Sequence, residues 1–191
     1  MKIVLVIVAL WMIGIPGASA RTDKSILSKT PLTVEETEIY GSFLDSYLGA
    51  NKEVTNLSDR TFPLDLSGPG DHNSCLKGIE LNNLVEAGHT VHLLGAEIAR
   101  GRAVKLVAWN KHKDPDQSIK NGESVENAVK EGFKSGVFSL SEMIFDKTHR
   151  FAVFQFSFFC GSLCGQGGTI VFEKVGDKWR QSKRSCASWI S

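Results

Sequence analysis

The sequence predicts an α+β protein in which N-terminal helices pack on a curved, four-stranded antiparallel meander at the C-terminus. In the first part of the chain, apolar residues recur every three or four positions, as on one face of a helix. In the last third, four segments rich in β-branched and aromatic residues are separated by short turns, which is typical of antiparallel strands. The chain has 191 residues, of which 42% are hydrophobic and 23% charged. This composition is that of a globular protein and argues against a disordered or multi-pass membrane protein.

The first 20 residues have the pattern of a signal peptide. The positive charge of Lys2 precedes the apolar stretch Ile3–Ile13, and small residues lead up to Ala20, as signal peptidase requires. The apolar stretch is shorter than the ~20 residues that a membrane-spanning helix needs. We therefore expect cleavage after Ala20 and one α+β domain over residues 21–191. The protein is predicted to be secreted or periplasmic, with no transmembrane segment after signal cleavage.

The first helix of the domain is predicted to begin after Thr33 and to end near Gly49. Thr33 and Glu36 have the spacing of a capping box, in which each side chain bonds to the backbone of the other residue. Glycine is a usual residue at the end of a helix. The apolar residues in between form one stripe, which consists of Ile39, Tyr40, Phe43, Leu44, Tyr47 and Leu48. This stripe is predicted to face the core.

The middle of the chain has weaker signals. Val54–Phe62 is predicted to be extended, and the second half of Leu81–Arg100 to be helical in spite of two glycines. Ala103–Trp109 has the composition of a strand. Ser124 is predicted to cap a short helix, because its hydroxyl can accept a hydrogen bond from the first turn. The apolar residues that share a face of this helix are Val125, Ala128, Val129 and Phe133.

Four strands are predicted in the last third of the chain. Their bounds are Val137–Phe145, Phe151–Cys160, Gly168–Val175 and Lys178–Cys186. The two-residue connection Gly176-Asp177 suits a type II′ hairpin turn. If the hairpin continues in register, this turn sets Cys186 opposite Gly167.

One face of the second predicted strand is expected to meet the helices. Residues two apart in a strand lie on the same face, and here they are Ala152, Phe154, Phe156 and Phe158. Helices over a curved antiparallel sheet correspond by analogy to the cone-like folds of nuclear transport factor two and cystatin. The analogy concerns topology alone and implies no function.

The four cysteines predict two structural disulfides. All four follow the signal peptide, and an exported chain reaches an oxidising compartment. The pairing favoured here is Cys160 with Cys164 and Cys75 with Cys186. The alternative pairs Cys164 with Cys186 and Cys75 with Cys160. A redox-active pair is disfavoured, since three residues separate the two cysteines at 160 and 164 where thioredoxin-like enzymes have two.

The C-terminal half contains a cysteine loop and a characteristic end. The loop is Cys160-Gly161-Ser162-Leu163-Cys164-Gly165-Gln166-Gly167-Gly168, and the chain ends in Trp189-Ile190-Ser191. In these motifs the chain resembles a group of uncharacterised secreted bacterial proteins. The resemblance implies bacterial export and a hairpin around the cysteine loop. It implies no activity.

Several common functional motifs are absent from the sequence. It contains neither the G-x-S-x-G of serine hydrolases nor a P-loop or G-x-G-x-x-G for nucleotides. His89 and His92 occur without the H-E-x-x-H of zinc enzymes. A net charge of +1 creates no general attraction for nucleic acid. We therefore predict no metal or cofactor and no nucleic-acid partner.

The favoured function is that of a non-catalytic binding or envelope-associated module, stabilised by disulfides. Its partner is unknown from the sequence, with a small ligand or an anionic envelope surface as the two possibilities. The second possibility rests on a basic strip in the predicted C-terminal hairpin, formed by Lys174, Lys178, Arg180, Lys183 and Arg184. Such cations also occur on edge strands simply to prevent unwanted strand pairing.

The alternative function is a pocket enzyme of the hydrolase or isomerase type, with His92 or Glu142 as general base. Glu142 interrupts the apolar alternation of Phe138 and Leu140. A carboxylate at such a position would have a raised pKa, useful for proton transfer, if it faced a pocket. The simpler expectation, favoured from the sequence, is that Glu142 faces water. No catalytic residue is therefore assigned beyond these two candidates.

Overall fold

The structure is a computed structural model that describes residues 26–27, 31–49, 53–67, 72–82, 84–87, 89–108, 115–161, 164–184, 186 and 188–191. Its helices are α1 (Val34–Leu48), α2 (His72–Cys75), α3 (Leu84–Ala87), α4 (Ala96–Ala99), α5 (Pro115–Lys120) and α6 (Val125–Ser135). Its strands are β1 (Ile26–Leu27), β2 (Thr55–Ser58), β3 (Thr90–Val91), β4 (Val104–Val107), β5 (Val137–Leu140), β6 (Ile144–Phe145), β7 (Phe151–Gly161), β8 (Cys164–Val175), β9 (Lys178–Gln181) and β10 (Ser188–Ile190). The predicted signal peptide lies outside the described residues. In the described part of the chain, no helix has the length and hydropathy needed to cross a membrane.

The fold is α+β, and its main sheet is mixed and curled. The strand order is β10-β8-β7-β5-β2-β4, with β6 beside β7 and β9 beside β8. The C-terminal strands pair antiparallel, whereas β2 runs parallel to both β4 and β5. The predicted four-stranded antiparallel meander is therefore not the whole sheet. The sequence did not predict β2 as a central strand because Thr55–Ser58 contains only one large apolar residue, Leu57.

The hairpin turn at Gly176-Asp177 follows the prediction. Gly176 has φ of +62°, the left-handed backbone that glycine adopts without strain. Val175 lies opposite Lys178, as this turn requires.

The bounds of all four predicted C-terminal strands differ from those in the structure. Strand β7 ends at Gly161, one residue later than predicted, and β8 begins at Cys164, four residues before the predicted Gly168. The first predicted strand divides into β5 and β6 at residues 141–143, where Phe62 from another part of the chain bonds to the backbone of Glu142. The last predicted strand ends at Gln181, so the expected position of Cys186 opposite Gly167 is wrong. Trp189 of β10 takes that position. After Gln181 the chain leaves the edge of β8, Cys186 is bonded to Cys75, and the chain returns to β8 as β10.

Helix α1 begins and ends where the sequence predicts. The backbone N–H of Glu36 donates to Thr33 Oγ1 at 3.2 Å, and the backbone N–H of Thr33 donates to Glu36 Oε2 at 2.7 Å, which completes the capping box. Gly49 follows the last helical residue. The predicted stripe packs against the sheet, where Tyr40 meets Phe154 edge to face at 5.1 Å between ring centroids.

Strand β7 separates two hydrophobic cores. One face carries Ala152, Phe154 and Phe156 against α1, as predicted from their alternation. The opposite face carries Val153, which packs with Val171 of β8. The other buried residues of this second core are Leu64, Cys75, Ala87 and Ile144. The sheet is thus covered on both faces.

The helix predicted in the second half of Leu81–Arg100 is present only in part. Only the four residues of α4 are helical there, and Thr90–Val91 is a strand. The backbone N–H of Thr61 donates to the carbonyl of His92 at 2.9 Å, and that of Leu94 donates to Asp59 at 2.9 Å. These long-range hydrogen bonds outweigh a weak local helical pattern. As a result, His89 and His92 do not share a helical face.

Helix α6 begins after Ser124, as predicted, with the backbone N–H of Asn127 donating to the Ser124 hydroxyl. Its apolar face is less buried than expected. Ala128 is buried, but Val125, Val129 and Phe133 are exposed.

Both disulfides have the pairing favoured from the sequence. Cys75 is bonded to Cys186 with 5.0 Å between their Cα atoms. Cys160 is bonded to Cys164 with 5.1 Å between their Cα atoms. The long bridge ties the chain after β9 to the second core, and the short one closes the loop between β7 and β8.

Candidate functional site

A cavity of about 350 Å³ lies between the N-terminal turn of α1, the segment around β3 and the chain that enters and leaves β6. Its described lining residues are Glu36, Asn82, Ala87, Thr90, His92, Glu142, Met143, Ile144, Phe145 and His149. Both catalytic candidates from the sequence, Glu142 and His92, are among them. The cavity therefore joins an apolar wall to a set of titratable groups.

Glu142 is buried, with 5% of its surface exposed. The expectation that it faces water is wrong, because Phe62 and His92 cover the link between β5 and β6 on which it lies. Its backbone N–H donates to the carbonyl of Phe62 at 2.7 Å. The Ser141 hydroxyl donates to the carbonyl of Glu142 at 2.8 Å, and the Tyr40 hydroxyl donates to the carbonyl of Ser141 at 2.6 Å. The core helix thus fixes the backbone that carries this carboxylate.

Three donors converge on the Glu142 carboxylate. His92 Nδ1 lies 2.7 Å from Oε2, and the backbone N–H of His92 donates to Oε1 at 2.9 Å. The Thr61 hydroxyl also donates to Oε1. Because both oxygens face donors, the ionised carboxylate has a full set of hydrogen bonds.

Burial raises the pKa of Glu142, and the hydrogen bond from Thr61 and the interactions with His92 offset only part of this effect. The pKa of Tyr40 is raised in the same surroundings. Burial and the nearby charges of Glu142 and Glu36 raise the pKa of its phenol well above 10, so its hydroxyl stays a donor.

Within the described part of the chain, the second ring nitrogen of His92 has no hydrogen-bond partner. Its side chain is 15% exposed and lines the cavity. Within the described residues, the only side-chain group bonded to the ring is the Glu142 carboxylate at Nδ1. A carboxylate at Nδ1 orients an imidazole and stabilises its protonated form, as in enzymes that use histidine as general base. The pair is therefore chemically able to accept a proton from a bound molecule at Nε2.

Both members of this pair were candidates from the sequence, but the sequence did not predict that their side chains are in contact. Glu142 lies two residues after Leu140 and four after Phe138, which are both buried, so the alternation along a strand places all three on the same face. This alternation was the sequence signal that Glu142 is buried. Thr61 was missed, since a lone threonine in a polar segment has no distinguishing pattern. It lies 31 residues before His92 and 81 before Glu142.

A second polar cluster borders the cavity at Glu35. One carboxylate oxygen accepts from Lys174 Nζ at 2.9 Å and from Trp179 Nε1 at 2.6 Å. The other lies 2.7 Å from Nε2 of His149, which lines the cavity and stacks on Phe145. Glu35 thus holds α1 to β8, β9 and the turn after β6.

Two of the five cations in the basic strip that was predicted to bind an anionic surface already have partners within the protein. Lys174 is paired with Glu35, and Arg184 donates to the carbonyls of Cys75 and Lys77, both at 2.9 Å. The remaining exposed members are Lys178, Arg180 and Lys183.

Glu35 is expected to stabilise the fold in a pH-dependent way. Burial acts to raise its pKa, but hydrogen bonds from Lys174, Trp179 and His149 outweigh burial and lower the pKa from 4.5 to about 2. The ionised form is therefore favoured by folding, and its contribution is present above pH 4.5 and lost as the pH falls towards 2. The carboxylate is 29% exposed, so solvent screening reduces this contribution.

We expect Glu35→Gln to lower the free energy of unfolding by about 1–2 kcal/mol at pH 7 and by much less near pH 2. Urea denaturation at the two pH values measures this. Glu38→Gln, an exposed change on the same helix, is the control and should have little effect at either pH. An equal loss at both pH values for Glu35→Gln would assign its effect to packing instead of charge.

Within the described residues, no group of three or more His, Cys, Asp and Glu side chains has the arrangement of a metal site. Comparisons of the chain with family models, with curated proteins and with solved structures gave no match. The cavity and the Glu142–His92 pair are the features of the described residues that bear on function.

Proposed function

We propose that this protein is an exported binding protein whose cavity beside Glu142 and His92 holds a small ligand. A cavity of about 350 Å³ is within the usual range for small-molecule sites, ~300–1,000 Å³. Such sites combine an apolar wall with a few polar groups that orient the ligand. Here the apolar wall is formed by Met143, Ile144 and Phe145, and the polar groups are those of the Glu142–His92 pair.

The observation that carries this proposal is the buried Glu142 carboxylate at the cavity wall. Burying a carboxylate costs free energy that a structural role must repay. The segments it contacts are already joined by backbone hydrogen bonds, from Thr61 to His92 at 2.9 Å and from Glu142 to Phe62 at 2.7 Å. The carboxylate adds hydrogen bonds between segments that the backbone already joins. Orienting the His92 ring towards a ligand accounts for its presence.

Export is the second part of the proposal. It rests on the signal-peptide pattern before Arg21 and on the resemblance to secreted bacterial proteins. Two disulfides are compatible with an oxidising compartment, either outside the cell or in the periplasm. The cone-like shape suggested by analogy with nuclear transport factor two and cystatin belongs to the same proposal, and the curled sheet under α1 supports it.

A fragment screen by protein-observed NMR tests the binding function. Fragments of up to about 15 non-hydrogen atoms fit a site of this size, and we expect hits to shift the amide signals of His92 and Phe145. Ala87→Phe places a ring in the cavity and should weaken these hits at least tenfold. Ala96→Phe, at an exposed position outside the lining, is the control. Hits that bind equally well to both variants would place the ligand elsewhere.

The second candidate function is a pocket enzyme with His92 as general base. The specific observation in its favour is the 2.7 Å contact between His92 Nδ1 and Glu142 Oε2, in a histidine that lines the cavity. In this candidate Glu142 is a positioning residue and His92 the group that takes the proton. The reaction type would be hydrolysis or isomerisation.

A further inference from the structure

When the Glu142 carboxylate is ionised, hydrogen bonding to it favours the tautomer of a neutral His92 ring that carries its proton on Nδ1. The neighbouring Glu142 oxygen, Oε2, lies 2.7 Å away and has no proton to offer when the carboxylate is ionised. A neutral imidazole carries one ring proton, so Nε2 then presents a lone pair. Nothing in the described part of the chain donates to this nitrogen. Since His92 lines the cavity, its Nε2 is the ring nitrogen that a bound ligand can use as an acceptor.

Among the described lining residues of the cavity, the carboxylates are not matched by any Lys or Arg in the lining. These carboxylates belong to Glu36 and Glu142. Glu36 uses Oε2 for the capping box of α1, while no described group bonds to its Oε1. His149 also lines the cavity, but its Nε2 lies 2.7 Å from Glu35 Oε2, so a positive charge on this ring is already matched. An anionic ligand would meet these carboxylates without a free cation to pair with.

We infer that the ligand is a small organic cation, such as a primary amine, whose N–H groups donate to Nε2 of His92 and to the Glu36 carboxylate. Its body would lie against Met143, Ile144 and Phe145. This inference rests on the proposed binding function and names the chemical class of its ligand.

Three probes of nearly equal size separate the possible ligand charges. Benzylamine is a cation at pH 7.5, benzyl alcohol is neutral and benzoate is an anion. We expect NMR titration of the folded, disulfide-bonded protein to give a Kd for benzylamine at least tenfold lower than that for benzoate, with benzyl alcohol between them. The amide of His92 should shift in each titration that reports binding.

Glu142→Gln tests the role of the tautomer. The new amide would present an N–H group to Nδ1, so the ring proton of His92 moves to Nε2, which then donates instead of accepting. We expect the preference for benzylamine over benzoate to fall below about twofold. The ¹⁵N signals of the ring report the site of the proton without any ligand. Glu38→Gln, exposed on α1, keeps the wild-type preference.

Glu36→Gln gives a second test should Glu142→Gln fail to fold. Glutamine preserves a capping box, so the helix end is kept while one negative charge is removed. Benzylamine should bind at least threefold more weakly, and benzyl alcohol should be unchanged.

The outcomes separate this inference from the binding function on which it rests. Benzoate or benzyl alcohol binding in the cavity as tightly as benzylamine would overturn the cationic class and leave the binding function in place. Preference for benzylamine that persists in both Glu142→Gln and Glu36→Gln would also overturn it. Failure of all three probes and of the fragment screen to reach the cavity would remove the binding function itself.

Discussion

Removal of the Cys75–Cys186 disulfide is expected to lower the free energy of unfolding by up to ~4.7 kcal/mol. The two cysteines are 111 residues apart, so the bridge restricts a large part of the unfolded chain. The Cys160–Cys164 bridge spans a separation of only 4 residues and should contribute about 2 kcal/mol in the same chain-entropy treatment. The long bridge also joins Cys75, in the core behind the sheet, to the segment after β9.

Urea denaturation of the paired variants Cys75→Ala/Cys186→Ala and Cys160→Ala/Cys164→Ala measures the two contributions. The short-bridge variant is the matched control, because it removes the same number of sulfur atoms. We expect the long-bridge variant to be the less stable of the two. A larger loss from the short bridge would show that loop size does not set the stability of this protein.

If the protein is an enzyme, His92→Gln is expected to lower kcat/KM by 100-fold or more. Loss of a general base typically costs ~10²–10⁴ in rate, and 100-fold corresponds to about 2.7 kcal/mol of transition-state stabilisation. Glu142→Gln should reduce the rate similarly, because it leaves Nε2 protonated and unable to accept. Hydrolysis of p-nitrophenyl acetate by the folded protein is the first reaction to measure.

His89→Gln is the matched control for this experiment, since His89 is an exposed histidine three positions earlier in the chain. It should leave the rate unchanged. Thermal unfolding of each variant distinguishes loss of the base from loss of the fold. Hydrolysis that depends equally on His89 and His92, or that does not exceed the rate with free imidazole, would leave binding as the function.

The elements predicted correctly from the sequence depend on contacts between near neighbours. The capping box of α1 needs only Thr33 and Glu36, three residues apart, and both hydrogen bonds are present. The turn at Gly176-Asp177 likewise sets its register within four residues. The alternation in β7 identified its core face for the same reason.

The errors occurred where distant segments compete with local preference. Leu81–Arg100 has helical spacing, yet residues 90–94 are extended because their backbone bonds to residues 59–61. Strand β2 joins the sheet through parallel pairing with β4 and β5, which no local pattern in Thr55–Ser58 predicts. Beyond β9 the chain departs from the register of the hairpin, and Cys186 is bonded to Cys75, more than 100 residues earlier in the chain.

The sequence alone determined the helix α1, the last hairpin, the apolar face of β7 and the signal-peptide pattern, because each is a property of neighbouring residues. It also identified Glu142 and His92 separately. Glu142 interrupts an apolar alternation, and His92 occurs without the H-E-x-x-H pattern of zinc enzymes. Only the tertiary structure decided that their side chains meet, with Nδ1 and Oε2 2.7 Å apart across 50 residues of chain. The physical reason is that hydrogen bonds between distant segments bring residues 61, 92 and 142 together. Long-range pairing of this kind depends on the whole fold and leaves no periodic signal in the segments that it joins.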